Sequence, residues 1–230
     1  MKISIIIPCF NECSTVDKIL DKVLKNKNYI YEIIIIDDFS TDGSREILKN
    51  IPRDKIDHLI LNEKNYGKGY SIRQGLKIAT GDIILIQDAD LEYDPNDYQK
   101  LLSPIIKGYA DVVYGSRFIG SSEKRVLFFW HALGNSFLTF LSNMFTNLNL
   151  TDMECCYKVF KSKIIKNIKL KENRFGFEPE ITAKISKTDA RIYEVGVSYY
   201  GRRYSQGKKI TWKDGFSALR CIFVHNLFSK

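Results

Sequence analysis

The chain has 230 residues, and 44% of them are hydrophobic and 27% charged, which excludes a disordered or fibrous class and leaves ample material for a core. A net charge of +8 and a pI of about 9.1 point to an anionic partner: nucleotide phosphates, nucleic acid or an acidic membrane. The five cysteines (Cys9, Cys13, Cys155, Cys156, Cys221) are odd in number and form no CxxC array, which excludes a disulfide scaffold and predicts reduced thiols. Cys9 and Cys13 lack the second ligand pair that zinc requires.

Lys2–Ile7 is an apolar run stopped by Pro8 and reads as a strand. The opening MKISIIIP enters it directly and is too short for a signal peptide. Ser14 or Thr15 is placed to cap a helix carrying Val16, Ile19, Leu20, Val23 and Leu24 on one face. Tyr31–Ile36 is a second strand ending in Asp37-Asp38. Ser40–Gly43 is a turn leading to a short helix, and His58–Leu61 is a third strand. Gly67-Lys68-Gly69 opens a helix through Ala79. Ile83–Ile86 is a fourth strand, Asn96–Lys107 a helix and Ala110–Tyr114 a fifth strand. Thr151–Phe160 reads as a loop, Phe175–Lys187 as a helix and Ile192–Tyr199 as a strand. Apolar strands that do not alternate, each followed by a helix, predict a mostly parallel sheet covered on both faces. Ligands of such sheets sit beyond the carboxyl ends of the strands, where Pro8–Glu12, Asp37-Asp38, Asn62–Asn65, Asp88–Glu92 and Ser116-Arg117 fall.

Two C-terminal segments are amphipathic. Val126–Leu150 carries no charge, with Val126, Trp130, Leu133, Phe137, Leu141, Met144 and Leu148 on one stripe. His131, Asn135, Thr139, Ser142, Thr146 and Asn149 form the opposite stripe, and its polarity makes a poor membrane span. Trp212–Phe228 repeats the pattern. Either packing on the core or contact with lipid accounts for such faces. Between them, Arg202–Lys213 is a basic loop, read as a solvated surface or as a cover for anions.

The densest chemistry is GDIILIQDADLEYD. If the chain stays extended past Ile86, Asp88, Asp90 and Glu92 share one side. Three carboxylates there repel unless a divalent cation with oxygen ligands joins them; the plainer reading is a solvated acidic loop. No GxxxxGK[ST], GxGxxG or GxSxG occurs, which excludes P-loop, dinucleotide and serine-hydrolase sites.

The pieces SIIIPCFNE, EIIIIDDFSTDGS, NYGKGYSIRQGL, GDIILIQDADLEYDP, VVYGSRF, DMECCYKVF, FGFEPEITAKI and EVGVSYYGRRYSQGKKITWKDG occur in that order. Together they resemble glycosyltransferase family 2, and within it the dolichol-phosphate mannose synthase and polyprenyl-phosphate group. The resemblance covers about residues 3–215. It implies a GT-A α/β fold: one domain over 1–230, with a nucleotide-sugar half (1–120) and an acceptor half (121–230) carrying interfacial helices 126–148 and 212–228. By position it implies that Pro8, Phe10, Glu12, Ile36 and Asp38 line the nucleotide pocket. Asp88, Ala89 and Asp90 form the D-x-D site, and Asp88, Asp90 and Glu92 hold Mg²⁺ or Mn²⁺. Arg117, Arg202 and Lys208 meet the diphosphate, and Asp90, Arg117 and Asp152 form the catalytic set. Phe39 stands where the family has glycine, so that turn is expected to be built differently. Glu92 replaces a residue that is often neutral.

The implied reaction is inverting transfer from a nucleotide-diphosphate sugar, GDP-mannose or a UDP-hexose, to a polyprenyl phosphate. The alternative acceptor is a hydroxyl of a surface polysaccharide or lipid-linked glycan. The expected setting is peripheral, on the cytoplasmic membrane face, with a homo-oligomer or a membrane-protein partner left open. Nucleic acid is not expected, because the acids line the ligand edge and the basic residues lack interleaved stacking aromatics.

Overall fold

The computed structural model describes residues 1–26, 29–120, 123–126, 128–209 and 212–228. Its strands are β1 (Ile3–Cys9), β2 (Glu32–Asp37), β3 (His58–Leu61), β4 (Ile83–Ile86), β5 (Val112–Ser116), β6 (Lys158–Lys161) and β7 (Ile192–Gly196). They form one sheet in the order β3-β2-β1-β4-β6-β5-β7. β1 pairs in parallel with β2 and β4, β2 with β3, and β5 with β7. β2, β4 and β5 are buried at every residue, so both faces of the sheet are covered, as their unbroken apolar runs require.

The helices are α1 (Val16–Lys25), α2 (Ser44–Lys49), α3 (Lys68–Ile78), α4 (Tyr98–Ile106), α5 (Phe129–Thr146), α6 (Ser162–Asn167), α7 (Phe177–Ile185) and α8 (Trp212–Leu227). α1 buries Val16, Ile19, Leu20 and Val23, the stripe its spacing predicts. Thr15 holds the cap position but makes no capping bond. Its hydroxyl goes instead to Glu12 Oε2 (2.8 Å) and the Ala89 carbonyl (2.9 Å), tying β1 to the acidic turn after β4.

β6 begins inside Thr151–Phe160, where a loop was expected, and α6 follows it directly. β6 is four residues long, and only Val159 and Phe160 are apolar, so it gives no periodic signal. It runs antiparallel between β4 and β5, with Leu85 opposite Val159 and Ile83 opposite Lys161. That direction brings the preceding segment, Asp152–Tyr157, to the carboxyl edge of β4, the edge where ligands of such sheets bind.

α5 begins at Phe129 rather than at 126, and Leu127 lies outside the described residues. Its polarity is inverted relative to a core helix. Thr139 (4% exposed) and Ser142 (1%) face the protein, whereas Trp130 (76%) and Phe137 (52%) face outward. On α8, Trp212, Phe216, Phe223 and Leu227 are exposed as well.

Gly75 sets how closely α3 lies on the sheet. A Cβ there would sit 2.6 Å from Ile6 Cγ2 and 3.1 Å from Ile36 Cδ1. Alanine favours an exposed helix by up to about 1 kcal/mol over glycine, so the sign of the change is diagnostic. Gly75→Ala is expected to destabilise the fold by about 1–3 kcal/mol through overpacking, read as a lower urea midpoint.

Candidate active site

The chain does not stay extended past Ile86. Leu91 adopts φ 62°, and the Glu92 N–H donates to Asp90 Oδ1 at 3.1 Å, so residues 88–92 form a turn. Extension therefore does not place Asp88, Asp90 and Glu92 on one side. A basic residue distant in sequence gathers two of them. Arg202 donates from Nη1 to Glu12 Oε2 (2.9 Å), from Nη2 to Asp90 Oδ2 (2.9 Å), and approaches Glu92 Oε1 through Nε (3.3 Å). The Arg202 N–H adds a 2.9 Å bond to Glu92, and the Tyr199 hydroxyl donates to Glu92 Oε2 at 2.8 Å. Asp88 is drawn aside by Lys68, whose Nζ lies 3.0 Å from Asp88 Oδ1 and 3.0 Å from Glu178 Oε1. Burial first, then the charges of Asp88 and Glu92, push the Asp90 carboxyl up to about 7 despite Arg202. The donor set is all oxygen and carries an excess of negative charge, which suits a hard divalent ion.

In the basic loop, Lys208 and Lys209 take different partners. Lys208 lies over the Phe128 ring, 5.5 Å from its centroid. Its neighbour Lys209 donates to Glu12 Oε1 (2.6 Å) and to the Phe10 and Asn11 carbonyls, 3.0 Å for the latter. The loop is thus fastened to β1 on one side and to the acidic turn on the other.

Just past the carboxyl end of β2, Asp38 is buried and accepts from the Gly67 N–H (2.7 Å), the Tyr66 N–H (2.9 Å) and Asn62 Nδ2 (2.8 Å). Its carboxylate holds the turn that opens α3. Ile36 is fully buried beside Gly75, so it supports this end of the sheet rather than lining an open pocket. Phe39 keeps the left-handed backbone at φ 66°, against the expectation of a different turn. The Arg45 guanidinium lies 5.3 Å from its ring centroid, beside its bond from Nε to Asp37 (2.6 Å). Pro8 and Phe10 are partly exposed at the end of β1, and Ala89 is buried under Thr15.

A second cluster lies beside the first. Arg117 donates to Asp152 from Nε (2.6 Å) and Nη2 (2.7 Å), and to Asn135 of α5 (2.8 Å). This is a bidentate buried pair. Burial alone would raise the Asp152 carboxyl, but Arg117's charge and hydrogen bonds hold it below its usual value. Buried Lys158 donates to the carbonyls of Met153 (3.0 Å) and Cys155, fixing the turn of the Asp152–Tyr157 segment.

The family model described as Glycosyl transferase family 2 matches residues 4–169. The chain belongs to glycosyltransferase family 2. Dodecaprenyl-phosphate galacturonate synthase of Rhizobium johnstonii is 25% identical over 213 residues, 90% of this chain and 62% of its own. Undecaprenyl-phosphate 4-deoxy-4-formamido-L-arabinose transferase of Proteus mirabilis is 27% identical over 213 residues, again 90% and 62%. This chain therefore spans less than two thirds of those two relatives. An uncharacterized protein of Methanocaldococcus jannaschii, 27% identical over 235 residues, is matched over 99% of this chain and 93% of its own. Among solved structures, glucosyl-3-phosphoglycerate synthase from Mycobacterium tuberculosis in complex with Mn²⁺, uridine-diphosphate and phosphoglyceric acid superposes with a TM-score of 0.77 at 15% identity, over 98% of this chain and 78% of that one. Mannosyl-3-phosphoglycerate synthase from Rubrobacter xylanophilus gives a TM-score of 0.77 at 15% identity, over 96% and 72%. At such identities the likeness is one of fold, and the fold is GT-A-like, as the resemblance implied.

Lys68, Glu178 and Lys209 of this family 2 chain were not legible as site residues, because each pairs with an oppositely charged group from a distant element. Glu178 Oε2 and Glu154 Oε1 are both sealed from solvent without a hydrogen-bond partner. Burial first, then the Glu178 charge, push the Glu154 carboxyl up to about 8 from 4.5. A carboxyl raised on folding stabilises fully below its unfolded value and loses that contribution as pH rises through the folded one. Thermal stability is expected to fall between about pH 4.5 and 8. The fall should be shallower in Glu154→Gln, which cannot ionise; parallel melting curves for the two proteins would rule this out.

Proposed function

We propose that the chain is an inverting glycosyltransferase that moves a sugar from a nucleotide-diphosphate sugar to a polyprenyl phosphate at a membrane surface. The observation that carries this reading is the acid cluster of Glu12, Asp90 and Glu92 at the carboxyl edge of the sheet, balanced by Arg202 and Lys209 of the loop above it. The polyprenyl-phosphate relatives and the Mn²⁺ and UDP complex of the M. tuberculosis enzyme support donor and acceptor classes in keeping with that charge.

Asp88, Asp90 and Glu92 would hold a divalent ion, Mg²⁺ or Mn²⁺. Bound there, it would neutralise charge gathering on the departing diphosphate. Arg202 and Lys209 are placed to exchange carboxylates for phosphate oxygens, since both already reach over the end of β1. A phosphate acceptor is an anion near neutral pH and needs no strong base, so positioning and charge stabilisation supply the catalysis. A hydroxyl acceptor would need a base, and Asp152 is a poor one while both of its oxygens are engaged by Arg117. Arg117 and Asp152 then serve as a rigid wall of the acceptor side.

The loop and α5 meet at this edge. The Tyr204 hydroxyl lies 3.0 Å from His131 Nε2, and Phe128 packs 5.9 Å from the Tyr204 ring. A lipid phosphate carried along the apolar faces of α5 and α8 would arrive beneath the basic loop. Among the described residues no helix is long and apolar enough to cross a membrane, and exposed aromatic faces fit a helix that lies in the interface.

Asp90→Asn is expected to lower transfer from nucleotide sugar to polyprenyl phosphate by about 10³-fold or more, the scale of losing a charge-stabilising group; full retained activity would remove Asp90 from the reaction. Binding to lipid is a separate measurement. The purified chain is expected to float with anionic liposomes, and Trp130→Ser with Phe137→Ser should weaken flotation at least tenfold. A wild-type chain that stays at the bottom of the gradient would refute the interfacial reading.

A further inference from the structure

Among the described residues outside the acid cluster, one group of side chains has the composition of a metal site. Cys221 and His225 are spaced i and i+4 on α8 and so share a face. Both are buried, and they face Glu172 in the segment before α7. Ligand atoms of the three residues all lie within 4.8 Å of one another. The space is kept open by Gly176, where a Cβ would sit 2.5 Å from Cys221 Sγ and 3.0 Å from Glu172 Oε2.

The polar bookkeeping of this pocket is incomplete as it stands. His225 Nε2 lies 3.0 Å from Glu172 Oε1, but Nδ1 is buried without a hydrogen-bond partner, 3.9 Å from Glu180 Oε1. The Arg220 guanidinium, half exposed, donates to Glu172 Oε1 (2.8 Å) and Oε2 (2.7 Å) and lies 3.2 Å from Cys221 Sγ. A cation thus already rests on the two groups that would be anionic ligands, and it is free to turn outward to solvent. Glu180 stands where the outer carboxylate of a metal-bound histidine is usually found.

We propose that Glu172, Cys221 and His225 bind one zinc-class divalent cation, with water as the fourth ligand. Sulfur, nitrogen and oxygen donors together suit zinc and not magnesium or calcium. Binding forms the metal–sulfur bond and releases the Cys221 thiol proton to solvent; no electron is transferred. The site would anchor α8 to the segment 171–174. That segment in turn braces the opening of α3: the Asn173 carbonyl accepts from the Tyr70 N–H at 3.0 Å, and the Glu172 carbonyl accepts from Arg73. Lys68, which holds Asp88, lies on that first turn. The ion would fix the outward-facing helix to the donor side of the fold.

The test is cobalt(II) titration of the intact chain after chelator treatment, because cobalt–thiolate bonds absorb by charge transfer in the near ultraviolet and cobalt held by oxygen alone does not. One equivalent of cobalt is expected to produce the band and zinc to displace it. Cys221→Ser should abolish the band, and His225→Gln, a milder change that keeps the thiol, should weaken cobalt binding about 10–100-fold. Asp90→Asn should leave the band intact, which separates this site from the acid cluster and from the proposed transfer. No band, a band that survives Cys221→Ser, or a band lost with Asp90→Asn would each overturn the proposal.

Discussion

The structure turns on one electrostatic constraint: Glu12, Asp90 and Glu92 are brought together in a largely dry site around a single guanidinium. Burial and the neighbouring charges of Asp88 and Glu92 push the Asp90 carboxyl up, the cost of gathering acids in such a site. Arg202 makes the cluster possible, and its guanidinium fork suits several carboxylates at once. The elements that carry these groups are fixed by it in turn. β1 delivers Glu12, the turn after β4 delivers Asp90 and Glu92, and the loop after β7 delivers Arg202 from the far edge of the sheet. Thr15 and Tyr199 then spend their hydroxyls on the same carboxylates.

Much of this was legible in the sequence, for definite physical reasons. Strands buried on both faces need no alternation, so β1, β2, β4 and β5 stood out as unbroken apolar runs. Acids and prolines at strand ends located the ligand edge. What stayed hidden depends on contacts far apart in the chain. β6 is too short to show a period, yet it decides that the Asp152–Tyr157 segment reaches the site. The expectation that alternation would align Asp88, Asp90 and Glu92 failed because Leu91 takes a left-handed conformation, a rare choice that composition does not announce. The contacts of Lys209 stayed hidden for a similar reason: in an irregular loop there is no period to say which of two adjacent lysines reaches Glu12.

α5 carries the same lesson from the other side. Its two stripes were plain, but a stripe does not say which face is inside. In a water-soluble bundle the apolar stripe would be buried. Here Asn135 binds Arg117 and Asp152, Asn143 binds the Leu150 carbonyl at 2.7 Å, and the Thr139 hydroxyl accepts from the Met153 N–H at 3.2 Å. The polar stripe is therefore the one with specific partners. Satisfying it leaves the aromatic side chains outside, where water is a poor neighbour and a lipid interface a good one.

These constraints meet at the basic loop. Arg202 and Lys209 hold carboxylates, and on the proposed reading the phosphates of a nucleotide sugar would be their second set of partners. On the proposed reading, exchanging one set for the other costs little electrostatically only if the acids gain a cation as the arginine leaves them. Donor and divalent ion would then bind as one unit, and the loop would release the acids only when both are present. The same loop touches α5 through Tyr204 and His131, so on the proposed reading its position would also be sensed by the helix with the exposed aromatic face. A family 2 chain built this way has reason to keep Glu92. The extra carboxylate strengthens the grip on Arg202, and on the proposed reading it would add an oxygen ligand to the divalent ion.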